Sequence, residues 1–448
     1  MGFIKNKKYL LIGKLNREIL ILAIPNIISN LSVPLLGMAD FALMGHLKTQ
    51  STIYVGAIAL GTTIFNVLYM SFGFLRMGTS GFTSQAYGAN NQKELGLALQ
   101  RSLAIAMVFG FLLIILQYPI QWISFHILDG TEEVKSLARQ YFYIRIFAAP
   151  ATLSLYSFYG WFLGMQNAKT PMFIAILVNI VNIGLNFFFV YAIKMNSNGV
   201  ALASVFAQYS GLILAIWFLC KKYPIHSTIY SVKYILKKSA IKEFFKVNGD
   251  IFIRTLLLIL TLSFFTSQSA KMGNNILAVN TLLFQFFFFF SYFADGFAFA
   301  GEALTGKAKG AKNPILLKET IGKLFIWGFG IALLTTLLYW WFLPVFMKIM
   351  TNNKILQSLS SHYFIWVILL PVTSIAAFIW DGVYIGVTAS KPMRNTMIIA
   401  SLFVFLPVFY LTNPVLGNNA LWLALVLFMI SRGLGLALLS KKHIYINT

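Results

Sequence analysis

Long apolar runs, separated by short polar segments, follow one another along almost the whole chain. Several of these runs extend over 20 or more residues, which is enough for a helix to cross roughly 30 Å of hydrocarbon. The sequence lacks segments of about ten residues that alternate polar and apolar positions, the pattern typical of a membrane barrel. The pattern therefore predicts an all-α polytopic membrane protein.

Breaks in the apolar pattern predict twelve transmembrane helices. They lie near residues 18–45, 52–80, 97–124, 137–164, 170–193, 199–221, 245–270, 275–303, 320–347, 356–386, 393–411 and 419–440. With the N-terminus inside, 25 of the 35 Lys and Arg residues lie on the inner side, 7 on the outer side and 3 within spans. This bias predicts a cell (inner or plasma) membrane protein with both termini in the cytoplasm.

The composition supports a membrane protein and argues against a nucleic-acid partner. Hydrophobic residues make up 58% of the chain and charged residues only 10%, whereas a soluble domain has about 25% charged residues. The net charge of +23 comes from basic residues at helix ends, where they orient a protein in the membrane. We therefore expect contacts with membrane lipids and no binding of nucleic acid.

The two halves of the chain resemble each other at an offset of 222 residues. The residues of the first half that recur at this offset are Thr83, Ala86, Gly88, Ala89, Asn91, Gly160 and Gly164. Two separate clusters that share one offset favour a duplication over chance. We predict two pseudo-symmetric six-helix bundles, an N-terminal lobe of residues 1–221 and a C-terminal lobe of residues 245–448, joined by a cytoplasmic linker of residues 222–244.

Four segments at the ends of predicted spans carry a family resemblance. They are FLRMGTSGFTSQAYGA (74–89), YGWFLGMQNAKTPM (159–172), FADGFAFAGEALTGKAKGA (293–311) and WDGVYIG (380–386). Together they resemble the multidrug and toxic compound extrusion (MATE) transporters, in particular their DinF-like branch. The resemblance implies a V-shaped pair of bundles, without a cofactor. It also implies export of organic cations and other drug-like amphiphiles in exchange for protons or sodium ions.

One acidic residue, Asp40, lies well inside the first predicted span. An ionised Asp near the centre of a bilayer costs roughly 2.5–3.5 kcal/mol on insertion scales, so it needs a proton, a cation or another partner. Asn26 and Asn30 lie on the same side of this helix. Polar residues also share a face of the fifth span (Asn179, Asn182, Asn186) and of the sixth (Ser204, Gln208). These residues predict either a polar pocket or hydrogen bonds that hold membrane helices together.

The family resemblance implies roles for some of these residues. Asp40 matches the first of two coupling carboxylates, Asn182 matches a nearby amide, and Ser204 matches a hydroxyl. The position of the second carboxylate holds Asn186, so the chain departs from the family pattern there. One carboxylate with amides can hold a proton, or bind sodium through the oxygens of these four residues. We favour the proton.

Two prolines, Pro25 and Pro34, lie in the same predicted helix as Asp40. Proline has no backbone N–H, so each frees a carbonyl one turn earlier in the helix. We expect the helix to bend when the charge on Asp40 is neutralised.

The second half has its own acidic residues within predicted spans, Asp295, Glu302 and Asp381, and all three match motif positions of the DinF-like branch. Asp295 and Asp381 are expected to pair with each other through a proton, or with Arg254 or Arg432. A structural ion pair and a part in transport both remain open for them.

Two further charged pairs are predicted in the second half. Glu302 is expected to reach the cytoplasmic interface and to meet lysines such as Lys307. Asp250 and Arg254 stand four residues apart near the start of the seventh span, which predicts a helical i, i+4 ion pair.

Two other functions compete with drug export. A flippase for a lipid-linked precursor usually needs a basic central cavity, whereas the basic residues here are mostly peripheral. An intramembrane enzyme is disfavoured because the five histidines lie at helix ends or in loops, without metal-binding spacing. We therefore expect a transporter, not an enzyme, that works as a monomer.

Overall fold

The computed structural model of the chain describes residues 2–45, 51–224 and 230–445. Within these ranges the chain forms helices and no β-strand. Twelve helices of the described part are long and apolar enough to cross a membrane, which confirms the predicted architecture and number of spans. They are Gly13–Met38, Thr52–Gly88, Gln92–Ile115, Glu132–Gly164, Lys169–Ala192, Asn196–Lys222, Lys238–Lys271, Asn274–Gly310, Pro314–Met350, Phe364–Gly386, Ser390–Leu416 and Asn418–Tyr445.

The α-helices are numbered here in chain order. They are α1 (Gly2–Gly45), α2 (Ser51–Ser71), α3 (Phe74–Gly88), α4 (Gln92–Ile115), α5 (Gln117–Ile127), α6 (Glu132–Arg145), α7 (Ala149–Gly164), α8 (Lys169–Phe187), α9 (Asn196–Lys222), α10 (Val232–Ile235), α11 (Lys238–Lys271), α12 (Asn274–Gly310), α13 (Pro314–Met350), α14 (Lys354–Ser361), α15 (Phe364–Gly386), α16 (Ser390–Ile398), α17 (Leu406–Leu416) and α18 (Asn418–Ser440).

Several spans are interrupted helices. In the fourth span a 3₁₀ turn at Ile146–Ala148 separates α6 from α7. The fifth and eleventh spans each contain a π-helical segment, at Phe188–Ala192 and Ile399–Phe405. These two spans correspond to each other in the two halves. Because a π segment widens the helical ladder, it often marks a functional site.

The helix crossings repeat between the two halves. A side chain at Gly160 on α7 would collide with the backbone of Arg76 on α3, and one at Gly382 on α15 with the backbone of Ala298 on α12. Gly382 lies 222 positions after Gly160, and Ala298 lies 222 positions after Arg76. Glycine permits such close helix packing in membranes because it has no Cβ.

The helix starts also repeat. Asn91 Oδ1 accepts a hydrogen bond from the backbone N–H of Glu94 (3.1 Å) at the start of α4. Asn313 Oδ1 accepts one from Leu316 (2.9 Å) at the start of α13. An asparagine at this position satisfies a backbone donor that the first helical turn leaves open. The sequence offset of 222 residues therefore has a counterpart in local structure.

By packing, the chain divides into two compact units. One comprises Met1–Ile27 with Lys246–Thr448, and the other comprises Ile28–Phe245. The division falls inside α1, two residues after Pro25. The lobes of residues 1–221 and 245–448, joined by a linker of residues 222–244, stay a prediction.

The unit Ile28–Phe245 has an aromatic core centred on α7. The indole N–H of Trp161 donates to the backbone carbonyl of Leu95 on α4 (2.9 Å), which anchors the two helices to each other. The buried members of this core are Leu99, Leu155, Phe158, Trp161, Phe162, Ile174, Val178, Ala207, Ala215 and Leu219.

The other unit contains a buried hydrogen-bond network at Asn280. Its amide nitrogen donates to Ser269 Oγ and to Asn418 Oδ1, both at 2.7 Å. Its oxygen accepts from Asn418 Nδ2 and from Trp422 Nε1, both at 3.0 Å. The network satisfies a buried amide and ties α11, α12 and α18 together.

The described part of the linker packs on the first half. Arg101 of α4 donates to the backbone carbonyls of Tyr234 (3.2 Å) and Ile235 (3.3 Å), and it pairs with Glu94 (2.8 Å). The backbone N–H of Tyr230 donates to Gln100 (3.0 Å). These bonds hold α10 against the start of α4.

Candidate functional site

Two sets of hydrogen bonds join α1 to α8 within the unit Ile28–Phe245. Asn179 Nδ2 donates to Ser32 Oγ (3.0 Å) and to the backbone carbonyl of the same residue (3.3 Å). Further along both helices, the Tyr191 hydroxyl donates to the backbone carbonyl of Leu43 (3.5 Å). Because the residue numbers increase together, the two helices run parallel between these contacts.

Asp40 lies in α1 between these two contacts, and its side chain is outside the described residues. It follows Ser32 by eight residues, while Asn186 follows Asn179 by seven. At about 1.5 Å per residue, these spacings correspond to about 12 Å and about 10.5 Å along the two helices. The backbone of Asp40 therefore lies at about the height of Asn186.

Three buried residues of α8 and α9 form a row of hydrogen bonds, which we call the polar ladder: Asn186, Asn182 and Ser204. Asn186 Nδ2 donates to Asn182 Oδ1 (2.8 Å), and Asn182 Nδ2 donates to Ser204 Oγ (3.1 Å). Ser204 Oγ donates in turn to the backbone carbonyl of Val200 (3.0 Å). Asn182 and Asn186 are only 3% and 1% exposed. The structure thus brings together three residues predicted from the sequence, at the height of the fourth, Asp40.

The remaining polar residues predicted for this site lie at different places. Gln208 is half-buried one turn after Ser204 on α9, and Asn30 is half-buried on α1. Asn26 is buried within the other compact unit, where its Nδ2 donates to the backbone carbonyl of Leu22 (2.7 Å). Asn26 and Asn30 are therefore neighbours on one helix that belong to different units.

The two prolines of α1 do not end the helix. The helical segment Gly2–Gly45 continues through both Pro25 and Pro34. Pro25 lies in the unit Met1–Ile27 with Lys246–Thr448, and Pro34 in the unit Ile28–Phe245. The bending of α1 on neutralisation of Asp40 stays a prediction.

In the second half, Asp381 of α15 lies between two arginines. Its Oδ2 accepts a hydrogen bond from Nη2 of Arg432 on α18 (2.6 Å) and from Nη2 of Arg254 on α11. All three side chains are buried. The predicted ion pair of Asp381 is present in the structure, and it forms with both Arg254 and Arg432.

The predicted ion pair between Asp250 and Arg254 is wrong. Asp250 instead accepts hydrogen bonds from Arg394 (2.7 Å) and from the Ser390 hydroxyl (2.8 Å), both on α16. The physical reason is that α15 and α16 each bring an oppositely charged side chain within hydrogen-bond distance, Asp381 for Arg254 and Arg394 for Asp250. No local pattern in the sequence identifies Arg394 as that partner.

The other two acidic residues of the second half lie on α12. Asp295 interacts electrostatically with Arg432 and with Tyr292. Glu302 is buried, with 1% exposed. Lys307, the predicted partner of Glu302, forms its ion pair with Glu18 of α1 instead (3.3 Å).

The described ranges contain no group of three or more His, Cys, Asp or Glu residues that is arranged to hold a metal ion. The polar ladder offers neutral amide and hydroxyl groups, which suit hydrogen bonding.

The family model named MatE matches residues 25–188 and 251–411, one segment in each half. The chain is also 37% identical over 422 residues to DNA damage-inducible protein F of Escherichia coli (strain K12), which covers 94% of this chain and 91% of that protein. The chain belongs to the MATE transporter family. This confirms the resemblance read from the four motifs, including the DinF-like branch. MATE members are transporters, so the choice of a transporter over an enzyme is confirmed as well.

Solved structures of MATE-related transporters share the fold. A MOP superfamily transporter from Pyrococcus furiosus superimposes with a TM-score of 0.87 over 97% of both chains, at 19% identity. A MATE transporter from Vibrio cholerae superimposes with a TM-score of 0.85 over 97% of this chain and 99% of that chain, at 18% identity. The MATE chain described here is thus a multi-pass membrane protein of a family that extrudes small-molecule drugs and toxins.

Proposed function

We propose that the chain is a secondary active multidrug efflux antiporter, which exports organic cations and other amphiphiles by alternating access. The observation that carries this proposal is the parallel run of α1 beside α8, which brings Asp40 to the height of the buried polar ladder. A single carboxylate at that depth favours uptake of a cation from either side of the membrane. The family assignment supports extrusion as the direction.

We propose the proton as the coupling ion. Asn182 Oδ1 already accepts from Asn186, and Ser204 Oγ already accepts from Asn182. A sodium ion would have to share these oxygens or displace their donors. A proton needs only the carboxylate of Asp40, and so it leaves the ladder intact.

In the proposed cycle, binding of a proton to Asp40 from outside favours release of the substrate, and loss of the proton inside lets substrate bind again. Pro25 and Pro34 allow α1 to bend between these states, because both remove a backbone hydrogen bond. Exchange of one proton for one singly charged cation moves no net charge, so the pH difference drives it. A difference of one pH unit provides about 1.4 kcal/mol, which supports a substrate gradient of roughly tenfold.

We also propose a membrane location and an oligomeric state for the chain. The excess of basic residues on one side supports a cell (inner or plasma) membrane location with both termini in the cytoplasm. The chain would work as a monomer surrounded by lipid, with no cofactor. Its substrates would be drug-like small molecules.

Ethidium efflux from proteoliposomes tests the function. The full-length chain is reconstituted, and an outward ethidium flux is measured under an imposed pH gradient, an imposed sodium gradient, or neither. We expect efflux driven by the pH gradient alone. Efflux driven by sodium and indifferent to pH would replace the proton by sodium. The absence of ethidium movement under any gradient, with transfer of a lipid-linked sugar instead, would favour the flippase alternative.

A further inference from the structure

We propose that Arg254, Arg432 and Asp381 form an anion-binding site in the second half, which takes the carboxylate or sulfonate group of an amphiphilic organic anion. This inference rests on the proposed function as an exporter and extends its substrates beyond cations. We call the three residues the arginine pair site. It lies entirely within the unit Met1–Ile27 with Lys246–Thr448.

The arginine pair site holds two positive charges around one carboxylate oxygen. Two guanidinium groups share one oxygen, Oδ2 of Asp381. Arg254 is 8% exposed and Arg432 is 3% exposed, so water compensates little of their charge. Asp295 also interacts with Arg432, which gives Arg432 a second acidic neighbour. Arg254 shares Asp381 with Arg432, whereas Arg432 also has Asp295, so a further anion would stabilise Arg254 more than Arg432.

Arg254 has a hydrogen-bond donor with no acceptor among the described residues. Asp381 is the partner of Arg254 among the described residues, through Nη2. The Nε of Arg254 is buried and has no hydrogen-bond partner in the described part of the chain. Guanidinium groups bind carboxylates through two parallel N–H donors. Here the bond to Asp381 uses Nη2 but not Nε, so a ligand oxygen can bind beside it.

Apolar side chains surround the arginines, and such surroundings favour an amphiphile over a small inorganic anion. The guanidinium of Arg432 lies over the ring of Phe428, 5.3 Å from its centroid, and its Nη1 lies 3.2 Å from the sulfur of Met429. Trp380, which precedes Asp381, packs edge to face against Phe325 (5.2 Å between centroids). Apolar walls around few polar groups are typical of sites for drug-like ligands.

A second arginine in the same half provides a matched control. Arg394 pairs with one carboxylate, Asp250, at 2.7 Å, and its side chain is more exposed, at 29%. Its charge is matched one to one, and its remaining donors bind Asn395. Removal of Arg394 therefore removes a positive charge from the same half without removing the proposed ligand contact.

Binding of two matched fluorescent probes tests the inference in the full-length purified chain. The anionic probe is dansyl-labelled undecanoate, and the cationic probe is dansyl-labelled undecyl-trimethylammonium. In Arg254→Gln the hydrogen-bonded ion pair of Arg432 with Asp381 remains, so the fold is expected to survive. We expect this variant to bind the anionic probe about tenfold more weakly, the loss typical of one charge-assisted hydrogen bond. Affinity for the cationic probe should not change.

Two further variants decide between a ligand contact and a structural role. Arg254→Lys keeps the charge but lacks the Nε donor, and we expect a smaller loss of anion affinity; it also carries the test if Arg254→Gln does not fold. Arg394→Gln should bind both probes as the wild type does. A structural role would instead lower the affinity for both probes together, and that result would overturn the inference.

The outcomes also separate this inference from the proposed function. If the wild type exports ethidium but does not bind the anionic probe, or binds it equally well after Arg254→Gln, the arginine pair site is refuted and the exporter stands. Displacement of the anionic probe by equimolar chloride would overturn the assignment to an organic anion. If ethidium efflux itself fails, the proposed function fails whatever the probe affinities are.

Discussion

The crossing of α12 and α15 depends on a missing side chain at Gly382. A Cβ at this position would lie 2.8 Å from both the carbonyl carbon and the Cα of Ala298. Since carbon atoms pack best at about 3.5–4.0 Å, Gly382→Ala would force the two helices apart by about 1 Å. Overpacking of this kind costs about 1–3 kcal/mol, whereas a Gly to Ala change in a helix otherwise contributes about 0.5–1 kcal/mol of stability. We therefore expect a net loss of about 1–2 kcal/mol.

Equilibrium unfolding by SDS in mixed micelles measures this loss. The control is Gly301→Ala on α12, because a Cβ there would lie 3.4 Å from Leu324 Cδ1 and 3.7 Å from the backbone of Gly382, which are ordinary contacts. Gly301→Ala should be as stable as the wild type or slightly more stable. Equal stability of Gly382→Ala and Gly301→Ala would refute the argument that backbone contact sets the helix spacing.

Three other substitutions test separate parts of the structure. Asn182→Ala removes the acceptor of Asn186 and one of the partners of Ser204, so we expect about 1–3 kcal/mol lower stability in the same SDS assay and slower ethidium efflux. Asn280→Ala leaves the buried donor of Trp422 without its acceptor, which should lower stability by a similar about 1–3 kcal/mol without changing the coupling ion. Arg101→Gln loses guanidinium donors that bind the backbone carbonyls of Tyr234 and Ile235, and limited proteolysis should then cut the linker faster than in the wild type.

Much of the fold could be predicted because the membrane imposes it. Apolar runs of span length, separated by polar breaks, specify twelve helices, and the described residues contain twelve such helices. The offset that links Gly160 to Gly382 was visible in the sequence because close helix packing restricts both positions to glycine. A packing requirement of this kind restricts the residue type at one position, so it can be recognised in the sequence.

Contacts between segments that are distant in the sequence could not be predicted from local patterns. The division of the chain inside α1, after Ile27, follows from packing against helices more than 200 residues later, which no local pattern reports. The same reason explains the error on Arg254. Spacing along one helix favoured Asp250 as its partner, whereas α15 supplies Asp381.

The candidate site contains some contacts that the sequence predicted and one that it did not. Asn182, Asn186 and Ser204 share helical faces, so their hydrogen bonding could be anticipated from spacing, and the structure brings them together. Ser32 was missed, although it bonds Asn179 and fixes how α1 aligns with α8. A lone serine in a membrane helix carries no signal of its own, because serine commonly bonds to its own helix.

The central claim is that Asp40 exchanges a proton for the substrate. Proton release measures this directly: ethidium is added to the purified chain in weakly buffered detergent, and the pH change is compared between the wild type and Asp40→Asn. We predict that ethidium binding releases protons from the wild type, and that Asp40→Asn binds ethidium without release, since coupled binding is reciprocal. Equal proton release from both proteins, or ethidium binding by the wild type without any release, would contradict the account.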